Sequence, residues 1–151
     1  ISVPEAQRFI DTFFGEFPGV KDFINNTNEQ ARKDGEVRTL LGRRRPLPDI
    51  DHRVQHRRLQ AERMAVNTVV QGTAADLIKI AMINLYREQH ANNAPRKMLL
   101  QIHDELLFEI EEQHLEPQKI IIQEIMESAM ELCVPLKVQM EIGSNWFDAS
   151  K

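Results

Sequence analysis

Residues 98–111 read MLLQIHDELLFEIE, two apolar runs on either side of the polar triplet His103-Asp104-Glu105. The second run alternates Leu106, Phe108 and Ile110 with Leu107, Glu109 and Glu111, the period of a strand whose two faces differ. Met98 to Ile102 and Leu106 to Glu111 are close enough in sequence to pair as a hairpin, with the triplet at its joint. A carboxylate at a hairpin tip keeps some of its water and avoids the cost of a buried charge. Two adjacent carboxylates repel, and a hard divalent cation relieves the repulsion. Mg2+ suits the position, because it takes oxygen ligands and is often held by one or two carboxylates, with substrate phosphates and water completing the shell. Asp104 and Glu105 are thus candidate metal ligands for phosphoryl-transfer chemistry. On its own the triplet is better read as an Asp-containing tight turn, a common use of Asp, and two flanking strands shift that balance only modestly.

Outward from the hairpin, the chain alternates helix and strand patterns. Pro117 opens a helix in which Ile122, Ile125, Ala129 and Leu132 face one way, and Val134-Pro135 ends it; PLKVQMEIG, residues 135–143, then alternates like a last strand. The order strand, strand, helix, strand predicts an α+β fold, an antiparallel sheet with long helices on one face. Upstream, residues 57–90 keep a helical pattern broken only by Gly72, which predicts one long, bent helix. Ser2-Val3-Pro4-Glu5 is a capping-box pattern that opens a first helix ending at Pro18-Gly19; a second runs on to Gly35. GEVRTLLGRRRPLPDI, residues 35–50, holds two Gly and two Pro and reads as short strand and loop.

The 151 residues suffice for one compact domain, or a piece of a larger one, and the 42% hydrophobic and 28% charged fractions are those of a globular protein. No apolar run approaches the roughly 20 residues of a membrane helix, and no signal-peptide pattern is present, so a soluble, cytoplasmic protein is expected. The sequence opens on ISVPEAQRF without Met, which suggests a fragment. The single Cys133 lies in an apolar helical pattern and is expected to be a reduced core thiol. The net charge of −4 conceals an asymmetry. Arg43, Arg44, Arg45, Arg53, Arg57, Arg58 and Arg63 cluster in one segment, while acidic residues dominate from Asp104 onward. A basic segment in a mildly acidic chain points to a localised polyanion contact, or else to a solvated arginine-rich loop.

The long helix carries a second signal. Arg63, Asn67 and Gln71 are spaced by four and share one helix face, while Val66, Val70 and Ala74 line a neighbouring face that could pack on the sheet. Solvated helix faces favour Lys and Glu over Asn and Gln. One cation and two amides in a row suit the minor groove of a duplex, where every base pair presents an acceptor. Such a face checks pairing geometry without reading sequence. The remaining histidines, 52, 56, 90 and 114, have no convincing metal-ligand partners, and the chain has no phosphate-binding Gly-rich loop, Gly-x-Ser-x-Gly or Cys-x-x-Cys.

Four segments in order, TLLGRRRPLPDI (39–50), AERMAVNTVVQGTAADLIKIAM (61–82), QIHDELLFEI (101–110) and VPLKVQMEIGSNWFDA (134–149), resemble the C-terminal polymerase region of family A DNA polymerases. The resemblance runs through nearly the whole chain. It implies a right-hand polymerase whose palm sheet carries the catalytic metals, with residues 1–35 as the helical end of the fingers and 36–151 as palm. It further implies that His103, Asp104 and Glu105 form the catalytic triplet, in which Asp104 ligates Mg2+, Glu105 supports the site and His103 lies by the primer terminus. Arg63, Asn67 and Gln71 match the helix that meets primer-template DNA, and Arg43 to Arg45 fall near the duplex, where a phosphate role is implied for Arg43 and Arg44. The implied partners are primer-template DNA, deoxynucleoside triphosphates and a missing N-terminal part of the same polymerase, in a monomer without membrane contact.

Two features depart from the family pattern. Val69 stands where relatives often carry Pro, which predicts a straighter helix. The family's first catalytic Asp and the fingers helix that grips the nucleotide have no counterpart here, so the 151 residues alone are expected to be inactive. Two other readings stay open on the residues themselves: a non-catalytic nucleic-acid-binding module, and a metal-dependent phosphohydrolase.

Overall fold

The computed structural model describes residues 1–149. They form two compact units, Ile1–Thr73 and the residues from Ala74 onward, and one helix, α3, contributes to both.

In the first unit, α1 spans Val3–Glu16 and α2 spans Pro18–Asp34. The expected capping box is formed: the Ser2 Oγ accepts the Glu5 N–H at 3.4 Å, and the Glu5 carboxylate accepts the Ser2 N–H at 2.8 Å. Two of the N–H groups that an α-helix leaves without partners are thereby satisfied. Pro18 opens α2, where its missing N–H costs nothing, and Gly35 closes it with a left-handed φ of 67° that other residues adopt at a cost. The chain then turns into β1 (Glu36–Arg38) and β2 (Arg44–Pro46), an antiparallel pair with Val37 opposite Arg45. The core of the unit consists of Ala31, Val37, Leu47, Ile50, Ala61 and Ala65, with Met64 and Val69 packed against it. Fully burying Leu47 contributes about 2 kcal/mol to this unit. An ion pair at 2.5 Å between Arg32 and Glu62 ties α2 to α3. α1 buries none of its residues, and Phe9, Phe13 and Phe17 stand exposed.

α3 runs unbroken from Gln55 to Asn92, 38 residues or about 57 Å, so Gly72 does not divide it. The expected dry face is displaced by one position. Val70 is 58% exposed and Ala74 is exposed, whereas Ala61, Ala65 and Thr68 are buried. Ala61, Ala65 and Thr68 thus form the packed stripe, beside the position expected for the valines.

In the second unit, β3 (Arg96–Ile102) and β4 (Glu105–Ile110) form the expected antiparallel hairpin, with an irregularity between Met98 and Leu100. α4 covers Leu115–Glu127 after a single 3-10 turn at Glu112–His114, and α5 is the short segment Trp146–Ala149. α4 stops five residues before Leu132, at Ser128, whose N–H and Oγ both donate to the Glu124 carbonyl, at 3.0 and 2.6 Å. Cys133 therefore lies beyond the helix and is exposed, not a core thiol. The strand expected at 135–143 is not formed. Leu136, Val138 and Met140 are still less exposed than Lys137, Gln139 and Glu141, but β3 and β4 pair only with each other, so the segment has no ladder to join. The fold is α+β, with long helices and two small antiparallel sheets. Among the described residues, no helix is long and apolar enough to cross a membrane.

Candidate nucleic-acid interface and acidic hairpin turn

Arg63, Asn67 and Gln71 all lie exposed on α3. Among the described residues their side chains make no intramolecular hydrogen bond or ion pair. Several other helix-borne amides instead spend their donors on a carboxylate one turn away: Gln7 on Asp11, Gln30 on Asp34, Gln123 on Glu127 and Asn92 on Glu88. Donors left unspent in a row are available to an external acceptor.

Asn67 and Gln71 also line a cleft of about 310 Å³, whose other wall carries Arg43 from the end of the β1–β2 connection and Arg44 and Arg45 from β2. The arginine segment is a folded wall rather than a loose basic loop. Arg43 donates through Nη2 to the Gly72 carbonyl at 2.8 Å, and Arg45 donates through Nη1 to the Thr68 Oγ1 at 3.2 Å. Arg44 grips the Glu36 carboxylate with two nitrogens, at 2.7 Å from Nε and 2.5 Å from Nη2, and Arg38 adds a third contact at 2.8 Å. The Arg44 hydrogen bond holds the Glu36 carboxyl below the usual carboxylate range, and the Glu36 carboxylate raises Arg44 in turn. Arg44 thus enters the cleft already paired, which lowers the charge it can offer a phosphate.

The triplet at the joint of β3 and β4 forms a two-residue loop, His103–Asp104, closed by the pair Ile102 and Glu105. His103 has φ = 54°, the left-handed conformation that side chains rarely take. A two-residue hairpin loop needs positive φ at its first central position if the strands are to keep their twist, and Gly is the usual choice. The Gln101 side chain donates to the His103 carbonyl at 3.0 Å and braces the turn. Strain of this kind persists where the surrounding structure over-determines it, and such places cluster at functional sites. His103, Asp104 and Glu105 are all exposed. Among the described residues, no group of three or more His, Cys, Asp or Glu side chains is arranged to hold a metal ion.

The structure brings Asn67, Gln71, Arg43 and Arg44 to one cleft, with Arg63 two helical turns from Gln71 on the same face, and it brings His103, Asp104 and Glu105 to one turn. Sequence reasoning missed Thr39, Thr68, Gly72 and Thr73, which fix the arginine wall to α3. Their only sequence signal was the isolated Gly in a helical pattern.

Comparison with known proteins places these features. A family model described as DNA polymerase family A matches residues 1–148. The chain is 47% identical to DNA polymerase I of Bacillus caldotenax over 149 residues, covering 99% of this chain and 17% of that protein. It is 46% identical over 151 residues to the thermostable DNA polymerase I of Thermus filiformis, covering 100% of this chain and 18% of that protein. Among solved structures, it superposes with a TM-score of 0.95 and 42% identity on the POL domain of Pol1 from M. smegmatis, in a complex with DNA primer-template and dNTP, covering 100% of this chain and 27% of that one. The chain thus spans less than a fifth of the length of these curated relatives. With a family match over nearly its full length and relatives this similar, the chain belongs to DNA polymerase family A.

Proposed function

We propose that this chain is the palm portion, with the end of the fingers, of a DNA-directed DNA polymerase that extends a primer 3′ end with deoxynucleoside triphosphates. The observation that carries the reading is the row of unspent donors on α3, in a chain that belongs to family A. Arg63, Asn67 and Gln71 would donate to the minor-groove acceptors, purine N3 and pyrimidine O2, which every Watson–Crick pair presents in nearly the same place. A mispaired terminus shifts those acceptors and leaves a donor unsatisfied, at a cost of about 1–3 kcal/mol. Arg43 and Arg44 would meet the phosphates that set the position of the duplex. The POL domain of Pol1 from M. smegmatis, 42% identical to this chain, is in complex with DNA primer-template and dNTP, which supports both partners.

The donor chemistry of the hairpin turn fits Mg2+ as a share of a site. It offers hard carboxylate oxygens in an exposed position, but too few to hold the ion alone. Asp104 would be the ligand, with Glu105 supporting it. The chemistry such ions supply, when bound, is activation of the primer hydroxyl and neutralisation of charge on the departing pyrophosphate. His103, fixed by the Gln101 brace, would lie beside the primer terminus and hold it in line. Residues 1–35 are assigned to the end of the fingers and 36–151 to the palm.

The test is a pair of variants in the complete polymerase. Asp104→Ala is expected to abolish primer extension with duplex affinity nearly unchanged, and surviving activity would remove the metal assignment. Gln71→Ala is expected to weaken duplex binding and mismatch sensitivity on all templates alike; an effect confined to particular sequences would argue against minor-groove contact.

A further inference from the structure

Gly72 sits inside a 38-residue helix, where Gly costs about 1 kcal/mol relative to Ala, yet the helix passes through it without a break. A close contact explains its place. A methyl group built on Gly72 would lie 2.7 Å from the Cγ2 of Thr39, a separation that real side chains do not tolerate. Its other neighbours, Thr68 Cγ2 at 3.6 Å and an Arg43 guanidinium nitrogen at 3.9 Å, would be ordinary contacts.

Thr39 has no room to yield. Its N–H donates to the Arg43 carbonyl at 3.0 Å, its carbonyl accepts the Gly42 N–H at 2.9 Å, and its Oγ1 accepts the Arg43 N–H at 3.1 Å. The residue is 5% exposed, and rotating its methyl away would carry the hydroxyl off the Arg43 N–H. Two further bonds hold the same loop to the same turn of helix. The Leu40 N–H donates to the Thr73 Oγ1 at 3.1 Å, while that hydroxyl donates to the Val69 carbonyl at 2.5 Å. Arg43 donates to the carbonyl of Gly72 itself. The loop that carries the arginine wall is therefore seated on α3 through the one position that lacks a side chain.

We propose that Gly72 is a positioning residue: by letting Thr39 seat against α3, it sets the separation between Arg43 and the amides of Asn67 and Gln71, and so the width of the duplex-binding cleft. The inference rests on the duplex-binding reading given above. It makes an unusual demand on a mutation. Gly72→Ala is favoured by helix propensity and opposed only by one methyl group on Thr39, and Thr39→Ser removes that methyl while keeping the hydroxyl that Arg43 uses.

The experiment compares the complete polymerase with its Gly72→Ala and Gly72→Ala/Thr39→Ser variants by amide hydrogen exchange and by affinity for a primer-template duplex across a salt series. In Gly72→Ala we expect exchange at the Leu40 and Arg43 amides to rise about tenfold, duplex affinity to fall about tenfold, and the salt slope to drop by about one phosphate contact. The double variant is expected to return all three readouts to within about twofold of the starting protein, as a coupled pair does in a double-mutant cycle. If exchange rises but affinity and salt slope stay put, the contact is merely structural and the proposal falls. It falls equally if exchange is unchanged, or if Thr39→Ser fails to rescue. An unmodified polymerase that does not hold the duplex would overturn the duplex reading and this proposal together, with the exchange data still reporting the seating of the loop.

Discussion

Glu36 shows how one residue can redirect a charge cluster. Its side chain is only 11% exposed and faces both Arg38 and Arg44, so a run that reads as free positive charge is partly neutralised within the fold. Because the Arg44 hydrogen bond lowers the Glu36 carboxyl below its unfolded value, the pair contributes stability above that value and loses it as pH falls through the folded one. Glu36→Gln is therefore expected to flatten the acid limb of the stability curve below about pH 5, leaving the neutral side less affected. Thermal unfolding followed across that range checks the sign; an unchanged acid limb would show that Glu36 titrates as it does in the unfolded chain. His103 carries the opposite lesson. Its identity was legible in the sequence, but its left-handed backbone was not, since only the register of Ile102 against Glu105 makes the loop two residues long.

At the scale of elements, Arg96 is the feature no pattern announced. It opens β3 with a side chain fully removed from water, donating to the Gln118 side chain of α4 at 2.5 Å and to the Leu85 carbonyl of α3 at 3.1 Å, and pairing with Glu88. The Gln89 side chain in turn donates to the Arg96 carbonyl at 2.6 Å. One guanidinium thus holds the start of the hairpin, the end of α3 and α4 together within the second unit. Burial works against the Glu88 carboxylate, and its hydrogen bonds from Asn92 and Arg96 outweigh that, so its pKa is lowered. Removing one member of a buried pair leaves the other uncompensated. Arg96→Met is expected to cost about 3 kcal/mol, the low end for such a loss, because Glu88 keeps 21% exposure and can recover some water. Urea unfolding measures the cost, and Arg96→Met/Glu88→Gln should recover part of it. A cost for the single variant below about 0.5 kcal/mol, the scale of an ordinary surface change, would mean the network is dispensable.

On the scale of the whole molecule, the turn at Asp104 supplies too few ligands to hold a metal alone, and α1 buries none of its aromatic residues within the described chain. The 151 residues by themselves are accordingly expected to show no primer extension with Mg2+, whereas the complete polymerase extends; extension by this chain alone would mean that the family's first carboxylate has a substitute here. The first three helices, the caps at Ser2, Pro18 and Gly35, the β3–β4 hairpin and the spacing of Arg63, Asn67 and Gln71 were determined by the sequence itself. Periodicity, capping and turn chemistry act between residues a few positions apart, and the chain spells these out directly. The alternation at 136–141 was equally visible and misled, because a strand is completed by a partner that no local pattern names. Only the tertiary structure decided which face of α3 is packed, which arginines are already paired, and why a glycine sits in the middle of a helix. Those outcomes depend on atoms brought within a few ångströms from 23 to 33 residues away in the chain, as Arg45 is to Thr68 and Leu40 to Thr73.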